Sequence, residues 1–576
     1  MKKIMFLMFL LLCLTVGACR QPEPVPEVPT VTVTPTPIEQ SEENVMKEEP
    51  VELTVYSQVS GFQGEQQGWF AKVLLDKFNV VLHIVPDLPE DEWKEKGTKG
   101  DILVFGSDGE VYRNAVAQGW LLDWEENDLM KKHGTYLAEH LHKALEYNRS
   151  LTPEAGGVYG FGHGAAADWE EIETILYYWD IRWDWYKKLG YPEVKNLEEF
   201  AAVLEKMQLL ARAETVGKEV YALSFWREWD DTMVFYVRSM VSAYYGYDEF
   251  PFGFYDTETG GFHGALETEG PYLELLRFFN TLYRKGLLDP DSGTQTYEEA
   301  LKKLENGEVL FSLFGYAGSM AYNTSPHLED NMYMASLIPE ESSPAADGMS
   351  VYGGRRIWAI SADTPYPELC MELLNWFCTP EGRMVCEYGP QGLIWDYDAE
   401  GNTYFTEFGK TCYWNRETLL AGEYEGLCYG DGFPQINNVT WNINAENPDS
   451  NGETYNQESW KSNIPEASCA MEQDWREYTG AQTVWEYIKS RNYTVIPQIP
   501  YEETIPEEKL KQAWETVAAR IVEGSWDAIY AESEEAFEKI VSEMQAEADA
   551  CDYADCVAWC EKEAEKRWEL EEKVRK

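Results

Sequence analysis

The chain has 576 residues, 44% of them hydrophobic and 14% aromatic, with 22 Trp and 36 Tyr and a formal net charge of -55. Such apolar and aromatic content excludes a mainly disordered protein, and the length allows large cores in several domains or two big lobes. A field this acidic, with a pI near 4.4, repels phosphate backbones and anionic lipid surfaces, so nucleic acid is not an expected partner.

Lys2 and Lys3 precede an uncharged run from Ile4 to Val16, followed by the small residues Gly17 and Ala18. That is the build of a secretory signal peptide over residues 1–18. The run is about a dozen residues, short of the ~20 needed to span a bilayer. Val16-Gly17-Ala18-Cys19 resembles the bacterial lipobox, whose cysteine takes a diacylglyceryl group and becomes the new N-terminus. A lipid anchor at Cys19 on the extracellular face of the cell membrane is therefore expected; the competing reading is an ordinary signal peptide with an incidental cysteine. Residues 19–50 are rich in Pro, Thr and Glu, with no Gly or aromatic residue. They form a solvated, semi-rigid spacer.

From residue 51 the pattern changes. VELTVYS alternates as a strand, GWFAKVLLDKF has helical spacing, VVLHIV is a second strand, and GDILVFGSDG a third, before a helix in VYRNAVAQGWLLDW. Strands alternating with helices predict a parallel α/β sheet with ligand loops at the strands' carboxyl ends, where Ser57, Gln58 and Asp108 fall. Gly160, Gly162 and Ala165 form a loose G-x-G-x-x-A, but the residues after them read as another strand, so a crossover between lobes explains them better than a dinucleotide site.

Further on, FYDTETGGFHG reads as a hairpin, followed by two helices and the strand VLFSLF with its aromatic-glycine loop. YGGRRIWAIS is another strand. YPELCMELLNWFCTPEGRMVCEYGPQG is a helix, a turn opened by Pro380 and Gly382, and a second helix. In the helical tail, Trp514, Val517, Ile521 and Trp526 make an apolar stripe expected to be core.

Of 11 cysteines, Cys13 leaves with the signal and Cys19 takes lipid; the other nine lie between Cys370 and Cys560 and are read as free, mostly buried thiols. Cys551, Cys556 and Cys560 are close enough for a metal, but without His or CxxC spacing packing is preferred. DYDAEGNTYFTE, Asp396 to Glu407, has the acid spacing of an EF-hand loop. Lacking flanking EF helices, it is read as a β-hairpin with its tip at Glu400-Gly401-Asn402. No metal or cofactor is expected.

Taken in order, GDILVFGSDGEVYRNAVAQGWLLDW, GGVYGFGHG, YYWDIRWDWYKKLGYPEVKNLEEF, LRFFNTLYRKGLLDP, LENGEVLFSLFGYAGSM and RRIWAISADTPYPELCMELLNWFCTPEGRMVCEYGPQG resemble the extracellular solute-binding proteins of ABC importers, the large lipoprotein branch of the family that includes maltose-binding protein. The resemblance implies an α/β, two-lobed periplasmic-binding-protein-like (type II) fold with hinge strands and a helical C-terminal extension. It implies a first lobe at 51–160 and 357–395, and a second at 161–356 and 396–576. A carbohydrate ligand would sit in the cleft between lobes, and ABC permease transmembrane subunits would be the partner of what is expected to be a monomer.

By the same resemblance Asp108 falls where sugar-binding relatives place a carboxylate, Phe105 near their wall aromatic, and Tyr316 where they stack a ring on sugar. The chemistry suits: a sugar has an apolar C–H face and hydroxyls that need polar partners. Trp226 and Trp229, in SFWREWDD, are further stacking candidates with Arg227, Glu228 or Asp230 as hydrogen-bonding partners. Ser57, His163 and Arg355 are cleft candidates by position. The competing functions are a secreted polysaccharide-degrading enzyme, needing two carboxylates at a set separation, and a binding subunit feeding a sensor. HExxH, P-loop and GxSxG motifs are absent from the sequence.

Overall fold

A computed structural model describes residues 49–86, 100–215 and 217–576; the expected signal peptide, Cys19 and most of the spacer lie outside the described residues. Residues Pro50–Lys576 form one unit in which two large apolar cores are distinct.

The first core grows from the βαβ pattern at the start. The helix Gly68–Phe78 buries Trp69, Phe70 and Leu74 and ends on Asn79, whose left-handed φ of 54° turns the chain straight into the strand Val80–Pro86. That strand and Ile102–Phe105 both pair in parallel with Val51–Ser57. Ile357–Ile360, from far along the chain, then inserts antiparallel between Ile102–Phe105 and Phe161–Gly162. Here Gly160 and Gly162 serve closeness: a Cβ on Gly160 would lie 2.2 Å from the Trp358 carbonyl oxygen, and one on Gly162 would lie 2.4 Å from that of Gly354. The expected helices Pro367–Cys378 and Pro380–Tyr388 pack beneath this sheet.

The second core is built on a four-stranded sheet ordered Met334–Ser336, Tyr177–Arg182, Val309–Phe314, Tyr221–Leu223. Helices Leu197–Glu214, Phe235–Tyr245 and Pro271–Arg284 cover it. The tail forms three helices, Glu508–Ile529, Glu534–Asp549 and Tyr553–Arg575, and Val517, Ile521 and Trp526 enter this same core while Trp514 packs on its edge.

The chain passes between the cores at three places: Ala166 lies in the first and Ile172 in the second, Ala346 in the second and Met349 in the first, Trp460 in the first and Trp475 in the second. This moves a boundary expected from the sequence. Residues 396–460, read above as second lobe, bring Phe405, Tyr429, Trp441 and Trp460 into the first core. The reason is local: the hairpin after the Pro380–Tyr388 helix folds back so that Phe405 meets the Tyr388 ring at 5.5 Å and Trp460 meets it at 5.0 Å.

That hairpin is the acid-rich stretch. Trp395–Tyr397 pairs antiparallel with Thr403–Phe405, and Gly401 takes φ 85° at the tip. Asp398 Oδ1 accepts the backbone N–H of Glu400 at 3.0 Å and of Asn402 at 2.8 Å, which is turn chemistry, while the exposed Glu407 pairs with Lys410. The nine cysteines from Cys370 to Cys560 are unpaired, and Cys556 and Cys560 pack in the second core. Among the described residues no helix is long and apolar enough to cross a membrane.

Candidate ligand-binding site

Asp108 sits in the loop after the Ile102–Phe105 strand and is 5% exposed. Its Oδ1 accepts from Arg355 Nε at 2.9 Å, and Tyr147 OH donates to Oδ2 at 3.4 Å. Burial, then the Asp108 charge, pushes the Tyr147 hydroxyl up to about 12, so it stays a donor at neutral pH. Tyr352 completes this wall, its ring 5.4 Å from that of Tyr147. Arg355 follows the second crossing and also reaches Glu502 at 3.7 Å. Asp108 and Arg355, two residues singled out by position, are thus one ion pair.

Their neighbours in the sequence prediction lie deeper. Phe105 has no exposed surface and meets Tyr112 edge to face at 5.3 Å. Ser57 is 1% exposed, its Oγ donating to the Ile436 carbonyl at 2.7 Å. His163 lies against Gly354, where a Cβ would come within 2.4 Å of its ring, and Nδ1 has no protein partner. Burial, then the nearby Arg356, lowers its pKa to about 4, so the imidazole is neutral.

The second lobe contributes an aromatic surface. Trp226 is 2% exposed and walled in by Trp229, Phe235, Tyr236, Tyr297 and Phe314. It is core. On it rest three half-buried rings: Trp229 stacks on Tyr297 at 5.0 Å and lies 6.1 Å from Tyr316, whose own ring stacks on Phe314 at 5.1 Å. Desolvation holds the Tyr316 hydroxyl well above its ordinary range. Of the polar residues between the tryptophans, Asp230 is taken up by Phe235 N at 2.8 Å and Trp526 Nε1 at 2.7 Å, and burial raises its pKa to about 6. Glu228 accepts the Tyr297 amide at 2.7 Å. Arg227 is exposed.

The fold therefore gathers the expected residues into two sets on different lobes, Asp108 with Arg355 and Trp226 with Trp229 and Tyr316, and leaves Ser57, Phe105 and His163 inside or at the hinge. Sequence reading missed Tyr147, Tyr352 and Tyr297. Tyr147 is mid-helix in HKALEYNRSL and Tyr297 opens YEEALKKLE, where nothing distinguishes either from a surface tyrosine.

Residues 114–384 match the family described as bacterial extracellular solute-binding protein. The matched stretch runs from the helix after Asp108 through the whole second sheet to the helices after the Ile357–Ile360 strand, so it contains Trp229, Tyr297, Tyr316 and Arg355. Among solved structures the chain is similar to the S. pneumoniae ABC-transporter substrate binding protein FusA in complex with kestose, at 13% identity over 90% of this chain and 99% of that one, TM-score 0.44. It is similar to an HMO-binding ABC-transporter associated solute binding protein from Bifidobacterium longum infantis, at 14% identity over 90% and 99%, TM-score 0.46. A third is an extracellular solute-binding protein from the same subspecies, at 13% identity over 90% and 98%, TM-score 0.47. No curated protein matches the chain.

Proposed function

We propose that this protein is the lipid-anchored, extracellular capture subunit of an ABC importer. It grips a carbohydrate, an oligosaccharide by the extent of its aromatic surface, between two lobes and passes it unchanged to transmembrane permease subunits. It works as a monomer held by lipid on Cys19, needing no cofactor.

One observation carries the sugar reading: the second lobe offers a row of half-buried rings, Trp229, Tyr297 and Tyr316, where a soluble protein gains nothing from leaving aromatic faces uncovered. Rings backed by a rigid core suit the C–H face of pyranose or furanose units. The Asp108–Arg355 pair supplies charge-assisted hydrogen bonds for hydroxyls on the other side. Three crossings between the cores support hinge closure, driven by contacts that exist only when both lobes touch ligand. A micromolar Kd needs about 8 kcal/mol, within reach of a few stacked rings and such bonds.

The test is calorimetric titration of the unlipidated protein against neutral malto-, fructo-, xylo- and galacto-oligosaccharides of three to five units, with chromatography of the sugar recovered. Binding with unchanged sugar supports the reading. Cleaved sugar, or no heat from any of the series, overturns it.

A further inference from the structure

Five of the six residues in the strand Tyr177–Arg182 are buried, and only Tyr178 is partly exposed. Its neighbour Trp179 has φ 52°, a left-handed conformation that a bulky residue adopts only under constraint. Pairing explains the constraint. Ile181 opposes Phe311, Asp180 opposes Ser312, and Tyr177 opposes Phe314, which leaves Tyr178 and Trp179 together facing Leu313. This is a two-against-one bulge.

Hydrogen bonds and packing support the irregularity, although the Trp179 indole N–H is buried without a hydrogen-bond partner among the described residues. Leu313 N–H, displaced from the ladder, donates to Tyr236 OH at 3.1 Å, and Phe314 N–H donates to Ser312 Oγ at 3.3 Å. Trp179 fills the core against Phe200 at 5.3 Å and Phe311 at 5.8 Å. Besides this packing, a product of the strained tryptophan is the placement of Tyr178.

That placement is against Gly315, the residue before Tyr316. Gly315 lies so close that a Cβ there would come within 2.9 Å of the Tyr178 ring. At the far end of the same short loop, Ser319 N–H donates to Asp180 Oδ2 at 2.7 Å, and a Cβ on Gly318 would lie 2.7 Å from that oxygen. The loop carrying Tyr316 is thus fixed at one end on the Tyr178 ring and at the other on Asp180. The Tyr178 hydroxyl is kept protonated by burial and by two carboxylates, Asp180 and Glu458, the second of which belongs to the first lobe's segment.

We infer that Tyr178 is a ligand-contacting, specificity-determining residue of the cleft, set out by the Trp179 bulge to extend the aromatic row of Tyr316 toward the first lobe and to donate from its hydroxyl to a sugar hydroxyl. The inference rests on the carbohydrate reading above. It concerns the same cleft and adds a ring and a donor that neither motif nor family position marks.

The test uses whichever oligosaccharide of the series gives the strongest heat with the wild-type protein. Tyr178→Phe keeps the ring and the bulge and is expected to weaken binding about fivefold, the loss of one hydrogen bond. Tyr178→Ala is expected to weaken it about thirtyfold and to alter the preference among three-, four- and five-unit chains, which a merely structural role would not do. Both are compared with Tyr316→Ala at matched Tm. If Tyr316→Ala loses affinity while both Tyr178 variants bind as wild type, the inference is overturned and the carbohydrate reading stands. If wild type binds none of the sugars, the reading falls and the inference with it.

Discussion

Arg355 Nε donates to Asp108 Oδ1 at 2.9 Å, joining a guanidinium that is 66% exposed to a carboxylate side chain that is 8% exposed. The two ends of this pair have unequal stakes. Truncating Asp108 returns Arg355 to solvent, whereas truncating Arg355 leaves a buried carboxylate with only Tyr147 OH at 3.4 Å. Arg355→Ala should therefore cost about 2 kcal/mol in urea unfolding and Asp108→Asn less than about 1 kcal/mol. Equal costs would mean that Asp108 is as well solvated as its partner. Both variants should weaken sugar binding in calorimetry, since each removes a charged group from the same polar wall.

Trp226 and Trp229 differ in what they contribute to the fold. Trp226 is closed in by five rings, so Trp226→Ala should cost about 3–5 kcal/mol of stability, read as a shift in urea midpoint. Trp229 is half-buried and keeps one face on Tyr297. Trp229→Ala should cost less than half as much stability and should lose more affinity for sugar. A Trp226→Ala variant that folds at wild-type stability would contradict the burial argument.

This pair also marks where sequence reading stops. The strands Val51–Ser57 and Val80–Pro86 and the helix between them follow from periodicity within a dozen residues, and all are present; Pro380 and Gly382, read as a turn, instead lie in the first turn of the second helix, which Thr379 caps. The apolar stripe of the tail likewise predicts its own burial, because helical spacing fixes which side chains share a face. Three classes of fact depend on chain that is remote in sequence. Ile357–Ile360 inserts beside Ile102–Phe105, a pairing that no local pattern encodes. Trp226 and Trp229 are chemically alike, and the packing of Tyr236 and Phe314 against Trp226 decides which is sealed. The segment after Asp396 joins the first core because its hairpin folds back on Tyr388.

His163 gives a pH signature. Its folded pKa, about 4, is below the ordinary histidine value near 6.5, so the unfolded chain binds the proton more readily. The stability contributed by neutral His163 is complete above about pH 6.5 and is lost as pH falls through the window from about 6.5 to about 4. His163→Asn should flatten the stability difference across that window by about 3 kcal/mol or less, measured as the variant minus wild-type urea profile at each pH. A difference that stays constant from pH 7 to pH 4 would show that the ring is open to solvent and titrates normally.

The last prediction concerns the hinge strands. Gly162 pairs with Ile357, and its α-carbon faces backbone: a Cβ would meet the Gly354 carbonyl oxygen at 2.4 Å and that of Tyr352 at 2.9 Å. Main chain on both sides cannot move aside as a flexible side chain does, so Gly162→Ala must part the two crossings and should cost about 2–3 kcal/mol. Gly164 supplies the control, because it has φ 61° and a Cβ there would meet nothing within 4 Å. Gly164→Ala should cost only the strain of the left-handed backbone, about 1 kcal/mol. Urea midpoints separate the two, and titration adds a second reading. Parting the crossings also shifts Arg355 relative to Asp108, so Gly162→Ala should bind sugar more weakly while Gly164→Ala binds as wild type. Equal stability losses with equal affinity would mean that conformational freedom, and not close approach, is what these glycines provide.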